Sequence, residues 1–214
     1  MFINTDIDII ISISIMRLLH ITFHKGCHLE IEYVFKKLGH EIEVMYFDDG
    51  VSKGSDLYKI DHKLAQRCWD KYKDYFNTFD GIITSDTCPT SRPFLQNNWS
   101  KLLIIWICNR FDYEIKPEKD DPEFYQLLRE IPNRKNVFIL GDFNCFAQNA
   151  KKIFSNCNYL FNNKFTFKSW RDNKIKYDSF DHILYNNYNV NEDKMEVHEV
   201  NDLSDHSAIS FYIR

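Results

Sequence analysis

The stretch RLLHITFHKGCHLEIEYVFKKLGHEIEVMYF, residues 17–47, holds a strand, a glycine turn, a helix and a second strand. Residues 17–23 are mostly apolar, which predicts a buried strand, and Gly26 marks the turn after it. Apolar residues then recur at helical spacing from His28 to Leu38, and Gly39 is placed to cap that helix. Residues 41–47 alternate as a second strand, so the stretch predicts a βαβ unit with parallel strands.

The same alternation continues along the chain. A helix is predicted over Asp61–Phe76, and two more apolar strands over residues 81–84 and 102–108. We therefore predict an α/β fold in which residues 16–115 form a Rossmann-like parallel unit. Residues 1–15 are either a leader ahead of Met16 or an edge strand, and Asp6 and Asp8 ahead of their apolar run argue against a signal peptide.

The pattern changes at a charged, proline-containing stretch. Residues 114–122 read EIKPEKDDP, and we place a linker at residues 116–121. A short amphipathic helix over residues 124–131 and a strand over residues 136–140 follow, and then closely spaced strands. This change predicts a second unit, residues 122–214, with a mostly antiparallel sheet packed separately from the first.

Composition limits the classes of protein. The 214 residues contain 44% hydrophobic and 16% aromatic residues, enough for a buried core. The net charge of −4 and a pI near 6.1 give no global nucleic-acid signature, so binding to nucleic acid would need a local basic patch. The cysteines show no paired motif, and no segment has the length of a membrane span or the form of a signal peptide. We expect a cytoplasmic protein with reduced thiols at Cys27, Cys68, Cys88, Cys108, Cys145 and Cys157.

Three acidic clusters follow in order in the last third of the chain. They are Gly141-Asp142-Phe143-Asn144, Phe180-Asp181-His182-Ile183 and Leu203-Ser204-Asp205-His206-Ser207. Each places an acid beside an amide or imidazole at the end of an apolar, strand-like run. Carboxylates gathered at strand ends suit Mg²⁺-assisted phosphate chemistry, because hard oxygen ligands hold this ion and an imidazole can act beside it. A plain turn after a strand is the alternative for any one cluster, since Gly, Asp and Asn are ordinary turn residues.

Taken together, the three clusters resemble the second half of the endonuclease/exonuclease/phosphatase superfamily, over residues 117–214. The resemblance implies a partial α+β sandwich and a phosphoester hydrolase that requires Mg²⁺ or Mn²⁺. It implies that Asp142 positions or deprotonates the attacking water and that Asn144 donates to the phosphate. By the same resemblance, Asp205 is the metal-side acid, His206 contacts the scissile phosphate, and Asp181 orients that imidazole.

The first half of such an enzyme has no counterpart in this chain. The family takes a metal-binding Glu and several polar residues from that half, whereas a Rossmann-like pattern precedes Gly141 here. An active hydrolase and a degenerate one therefore both remain open.

Basic and aromatic residues alternate between the first two clusters. Residues 164–171 read KFTFKSWR, and Lys174 and Lys176 follow. Thr166, Trp170 and Arg171 are candidate substrate contacts, because such a stretch can follow a phosphate backbone while an aromatic ring stacks on a base. The predicted partner is nucleic acid or another phosphoester. An amphipathic strand pair, with its rings in the core and its lysines in water, explains the pattern equally well.

The first half carries a second resemblance. The stretches LLHITFHKGCHLEIEYVFKKLGHEIEVMYFDDG and KLLIIWICNRFDY are similar to the N-terminal domain of two-domain glycosyltransferases encoded by giant viruses, over residues 16–115. This similarity implies a nucleotide-sugar-dependent enzyme without its donor-binding domain, and a viral protein in host cytoplasm. The alternatives to a hydrolase are thus an incomplete glycosyltransferase or a non-catalytic fusion remnant.

Three further motifs have ordinary structural explanations. His20, His24 and His28 recur every fourth residue, but the turn at Gly26 interrupts a helix, so a zinc site is disfavoured. The Ser85-Asp86-Thr87 tripeptide could touch a ligand at the sheet edge or start a helix. Arg110, in Asn109-Arg110-Phe111-Asp112, could bind an acidic or sugar ligand or pair with the aspartate in water.

Overall fold

The computed structural model describes a little over half of the chain, and its central feature is one seven-stranded sheet. The described residues are 15–22, 27–46, 62–85, 90–107, 122–134, 136–143, 154, 157–160, 167–171, 174–185, 196–198 and 208–210. The sheet strands are β1 (Arg17–Thr22), β2 (Glu41–Tyr46), β3 (Gly81–Ser85), β4 (Leu102–Ile107), β5 (Val137–Asp142), β6 (Asn158–Leu160) and β9 (Asp181–Tyr185).

The sheet is parallel over its first five strands and antiparallel at one end. Its order is β2-β1-β3-β4-β5-β9-β6, and the neighbours from β2 to β5 pair in parallel. Strand β9 then pairs antiparallel with β5 on one side and with β6 on the other. The predicted α/β class with a Rossmann-like parallel unit is confirmed.

Helices cover both faces of the parallel part. They are α1 (Cys27–Lys37), α2 (His62–Phe76), α3 (Arg92–Gln96) and α4 (Pro122–Glu130), with a 3-10 turn at Ile131–Asn133. Residues of α2, α3 and α4 share one buried cluster with the odd-numbered residues of β1 and β5. Ile31 of α1 shares a second cluster with Leu18, Ile83 and Phe138 on the opposite face. Strands buried on both faces explain why residues 102–107 are a continuous apolar run.

The expectation that the two halves pack separately is wrong. Strand β4 pairs with β5 in register from Leu103–Val137 to Ile107–Gly141, so a single sheet runs through both segments. Both strands are buried and rich in β-branched residues, and pairing satisfies their backbone groups. The charged stretch between the two strands in the sequence therefore does not divide the sheet. The linker placed at residues 116–121 lies outside the described residues, as does the segment 1–14.

The remaining described strands form two small antiparallel pairs. Strand β7 (Phe167–Arg171) pairs with β8 (Lys174–Asp178), and β10 (Glu196–His198) pairs with β11 (Ala208–Ser210). The antiparallel character predicted for the second half is therefore present. Among the described residues, none of the helices has the length and apolar composition needed to cross a membrane.

Gly39 ends α1 as the sequence predicts. Its φ of +85° lies in the left-handed region that favours glycine. The backbone N–H of Gly39 donates to the carbonyl of Lys36, and that of His40 donates to the carbonyl of Phe35, each at 3.0 Å. These bonds satisfy carbonyls that the last helical turn leaves open, so β2 can begin at Glu41.

Candidate functional site

Two of the candidate functional residues lie together at the carboxyl end of the parallel strands. Because β1 to β5 are parallel, their carboxyl ends lie together, and the antiparallel strand β9 begins at the same edge. This edge carries Asp142 at the end of β5 and Asp181 at the start of β9. Ligands of open α/β sheets bind outside this carboxyl end of the strands.

Asp142 and Asp181 face each other across the β5–β9 pair. The next pair along the strands, Phe143 and Phe180, is joined by a backbone hydrogen bond of 2.9 Å. Hydrogen-bonded and non-hydrogen-bonded pairs alternate along an antiparallel ladder, so Asp142 and Asp181 form a non-hydrogen-bonded pair. Directly opposite residues of this kind have Cβ atoms about 4.5–5.5 Å apart on one face of the sheet. Two predicted site residues that are far apart in sequence are thus neighbours.

A close approach of strand β5 to β4 explains why a glycine, Gly141, precedes Asp142. Its φ is +127°, and a Cβ atom at this position would overlap the carbonyl oxygen of Ile107 on β4. Strand β5 can therefore reach Asp142 in this geometry only with glycine at the preceding position. The motif is not a plain turn, because Gly141 and Asp142 are the last residues of the strand and Phe143 still bonds to Phe180.

His182 belongs to the core and not to the acidic pair. It lies opposite Gly141 and is therefore on the other face of the sheet from Asp181. Its side chain is buried, and its ring packs edge-on against Phe143 with centroids 5.3 Å apart. Within the second acidic cluster, Asp181 therefore lies on the same face of the sheet as Asp142, whereas His182 lies in the core.

The other predicted site residues are described in part or lie outside the description. Asn144, Asp205 and His206, with the substrate candidate Thr166, are outside the described residues. Trp170 and Arg171 lie on β7, where the register places them opposite Ile175 and Lys174 of β8. Their predicted roles remain predictions.

The donor set fits Mg²⁺ or Mn²⁺ in part. The described residues contain no group of three or more His, Cys, Asp or Glu side chains that could hold a metal ion. Mg²⁺ keeps several waters and commonly binds through one or two carboxylates together with substrate phosphates. The pair Asp142 and Asp181 meets that smaller requirement, and its two like charges on one face favour a bound cation.

The β7–β8 pair presents exposed basic and apolar side chains. Ile175 and Tyr177 are 45% and 51% exposed, and Lys168, Lys174 and Lys176 are exposed as well. Phe167, at the start of β7, packs on Phe180 with ring centroids 5.3 Å apart. Since Phe180 directly precedes Asp181, this ring contact joins the base of the hairpin to the start of β9.

The histidine series does not form a zinc site in the described residues. His20 is fully buried on β1, and its Nε2 lies 2.9 Å from the hydroxyl of Ser85 on β3. The other two side chains of the series, His24 and His28, lie outside the description, as do residues 86–87 and 109–112. Ser85 is the last residue of strand β3.

Sequence reasoning missed two features of this edge. One is the close approach of Gly141 to β4, which no local pattern reveals. The other is a run of buried polar side chains, Thr90, Ser91 and Arg92, at the start of α3. The signal for that run was available, because polar residues follow directly on the apolar strand β3 and precede Pro93 at the beginning of a helix.

No family model and no curated protein matches this sequence. Among solved structures, the chain is similar to the endonuclease domain of TRAS1, a telomere-specific non-LTR retrotransposon. The similarity has a TM-score of 0.35 at 16% identity and covers 46% of this chain. It spans about half, 52%, of the length of that domain.

Proposed function

We propose that this protein is a phosphoester hydrolase that requires Mg²⁺ or Mn²⁺ and acts on nucleic acid. The observation that carries the proposal is the placement of Asp142 directly opposite Asp181 at the carboxyl edge of the sheet. Gly141 supports it, because its close contact with Ile107 of β4 fixes the backbone of β5 directly before Asp142. Rigid placement on strands is what a hydrolytic site needs for its water and its phosphate.

The acidic pair has two distinct tasks in this proposal. Asp142 holds or deprotonates the water that attacks phosphorus, since an ionised carboxylate accepts a hydrogen bond from water. Asp181 orients the imidazole of His206 and stabilises its protonated form, as a carboxylate beside a histidine does. Asn144 donates to a phosphoryl oxygen, and Asp205 is the acid on the side of the metal ion. A bound divalent cation would offset negative charge on the phosphoryl oxygens.

The β7–β8 hairpin supports nucleic acid as the substrate class. Lys168, Lys174 and Lys176 place three positive charges on a two-stranded ribbon that adjoins the acidic pair through Phe167 and Phe180. Exposed lysines attract a phosphate backbone, and the exposed ring of Tyr177 offers a surface for stacking on a base. The chain as a whole is acidic, so this local basic ribbon supplies the attraction that the net charge does not.

Hydrolysis of supercoiled plasmid and of a labelled single-stranded oligonucleotide tests the proposal. We expect cleavage with Mg²⁺ or Mn²⁺ and none with EDTA. His206→Ala should lower the rate by about 10²–10⁴-fold, the usual contribution of a positioned acid or base. Asp74→Asn, an exposed carboxylate on α2, is the matched control and should leave the rate unchanged.

Two results would contradict the proposal. One is cleavage by the purified protein that survives both EDTA and His206→Ala, because the proposed chemistry needs both the cation and the imidazole. The other is a folded, metal-supplied protein with no hydrolysis of either substrate. A parallel assay with nucleotide-sugars tests the alternative enzyme class, and sugar transfer that persists in an Asp142→Ala, His206→Ala double variant would favour a glycosyltransferase.

A further inference from the structure

Two rows of side chains lead up to the acidic pair on one face of the sheet. The lower row crosses four strands and consists of Ile83, Ile104, Phe138 and Tyr185, each 9% exposed or less. The upper row consists of Ser85, Trp106, Leu140 and Ile183. Alternate residues of a strand share a face, so Asp142 and Asp181 lie next on the same face, the one that also holds the buried cluster around Ile31 of α1.

The upper row is open in its middle. Ser85 and Ile183 at its ends are 0% and 4% exposed, whereas Trp106 of β4 and Leu140 of β5 are only half-buried. These two residues are paired in register, so their side chains form one apolar surface. Complete burial of an indole would be favourable, and ligands of α/β sheets bind at this end of the strands. The partly exposed ring is therefore placed where a ligand can cover it.

Trp106 lies one strand away from the acidic pair. Its partner in register is Leu140, and Asp142 is two residues further along β5 on the same face. The usual strand spacing and rise per residue put the Cα atoms of Trp106 and Asp142 roughly 8 Å apart. Such diagonal neighbours are within reach of an aromatic side chain. Because a base is joined to its phosphate through one sugar, a phosphate at the acidic pair can bring its base over the indole.

We propose that Trp106 is a stacking platform for the base of the nucleotide beside the scissile phosphate, and that this base is unpaired. The inference rests on the proposed hydrolysis of nucleic acid and names its substrate class. Inside a duplex each base is stacked on both sides, so a base offers its face to a protein ring only after it has left the stack. Every base has such a face, so the platform accepts all four bases. Leu140 provides apolar contact for the sugar.

Binding of two short ligands in EDTA, which prevents the proposed cleavage, tests the platform. One ligand is a labelled oligothymidylate, and the other is an abasic backbone of the same length. Trp106→Leu should weaken the binding of oligothymidylate about tenfold, the loss of one stacking contact, and leave the binding of the abasic backbone unchanged. Fluorescence anisotropy measures the affinities, and thermal unfolding confirms that the variant is folded.

Two further variants separate the ring from other effects of substitution. Trp106→Phe keeps an aromatic ring, and we expect it to recover most of the affinity for oligothymidylate that Trp106→Leu loses. Tyr33→Leu is the matched control, because it removes a ring that is 63% exposed on α1. It should bind both ligands like the unaltered protein.

Three results would overturn the platform. They are an unchanged affinity of Trp106→Leu for oligothymidylate, an equal loss for both ligands, and no binding of oligothymidylate to the unaltered protein. The last result would also contradict the proposed function. A separate incubation with Mg²⁺ distinguishes the two ideas. Cleavage without a base-dependent effect of Trp106 leaves hydrolysis and removes the platform, whereas the base-dependent effect without cleavage leaves the platform and removes hydrolysis.

Discussion

The parallel part of the sheet and the strands after β5 are stabilised in different ways. From β1 to β5, every strand pairs in parallel and is covered by helices, and aromatic rings of α2 and α3 interlock. After β5, the described strands are antiparallel, and two of the three pairings are isolated two-stranded ribbons. Such ribbons are only marginally stable without further packing.

The candidate chemistry lies where these two regions join. Asp142 ends the last parallel strand, and Asp181 begins the strand that reverses direction beside it. The carboxylates are thus held by the stable sheet, whereas the hairpin that would contact substrate belongs to the less buried region. Catalysis and stability can therefore be separated by substitution.

Asp142→Asn should lower the cleavage rate without lowering the melting temperature. Under the proposed function, the cleavage rate falls about 10³-fold, close to 4 kcal/mol of transition-state stabilisation. The melting temperature should stay the same or rise, because the change removes one of two like charges on the same face. A plasmid-nicking assay and thermal unfolding of the same preparation measure both quantities. A large fall in melting temperature together with unchanged cleavage would contradict the assignment.

Phe94→Ala should destabilise the parallel region strongly. Phe94 is 1% exposed, and its ring centroid lies 4.9 Å from that of Phe76 and 5.7 Å from that of Trp99. Loss of such a ring costs about 3–5 kcal/mol of unfolding free energy. Phe167→Ala is the counterpart in the hairpin, and because this ring is half-buried, about 1 kcal/mol is expected. Urea unfolding measures both, and equal losses would show that the two regions do not differ in packing.

The difference between the regions also explains what the sequence could predict. The strands β1 to β4 and the helices α1 and α2 follow from local periodicity, because each is bounded by turn residues and buries a regular face. The five-residue helix α3 was not predicted, because it is too short for a periodic pattern. The Asp142 and Asp181 motifs are visible for a similar reason, as acids next to apolar runs. The pairing of β4 with β5 could not be predicted, since it joins residues more than thirty positions apart across a charged stretch. Local patterns carry no information on such partners. The core-facing side of His182 depends on a second long-range pairing, that of β9 with β5.

Gly141→Ala should weaken the junction itself. A Cβ atom at this position overlaps the Ile107 carbonyl, and the φ of +127° is strained for alanine. We expect a loss of about 3 kcal/mol, from strain and from displacement of β5 away from β4. Gly39→Ala is the matched control, because Gly39 also has positive φ but no atom within 4 Å of the added Cβ. It should lose only about 1 kcal/mol. Equal effects in chemical unfolding would mean that the contact with Ile107 is unimportant.

The smallest predicted effect is a pH dependence of the melting temperature, which arises from a contact between β1 and β2. Arg17 on β1 donates from Nη2 to Glu43 on β2, and the hydroxyl of Tyr75 donates to the same carboxylate at 3.0 Å. The hydrogen bond from Arg17, with a smaller contribution from that of Tyr75, lowers the pKa of Glu43 below its ordinary value of 4.5. A carboxylate with a lowered folded-state pKa stabilises the protein above the unfolded-state pKa, and this contribution disappears as the pH falls through the folded-state value.

Glu43→Gln should therefore have a slightly lower melting temperature than the unaltered protein at pH 7. The difference should shrink as the pH falls below about 4.5, where the carboxylate of the unaltered protein becomes protonated. The effect is small because both partners are more than 40% exposed, so water and salt screen the pair. Glu41→Gln makes the same change two residues earlier on the same exposed strand and should show a weaker dependence. A Glu43→Gln difference that grows on acidification would reverse the sign of the linkage and rule out a stabilising contact between Arg17 and Glu43.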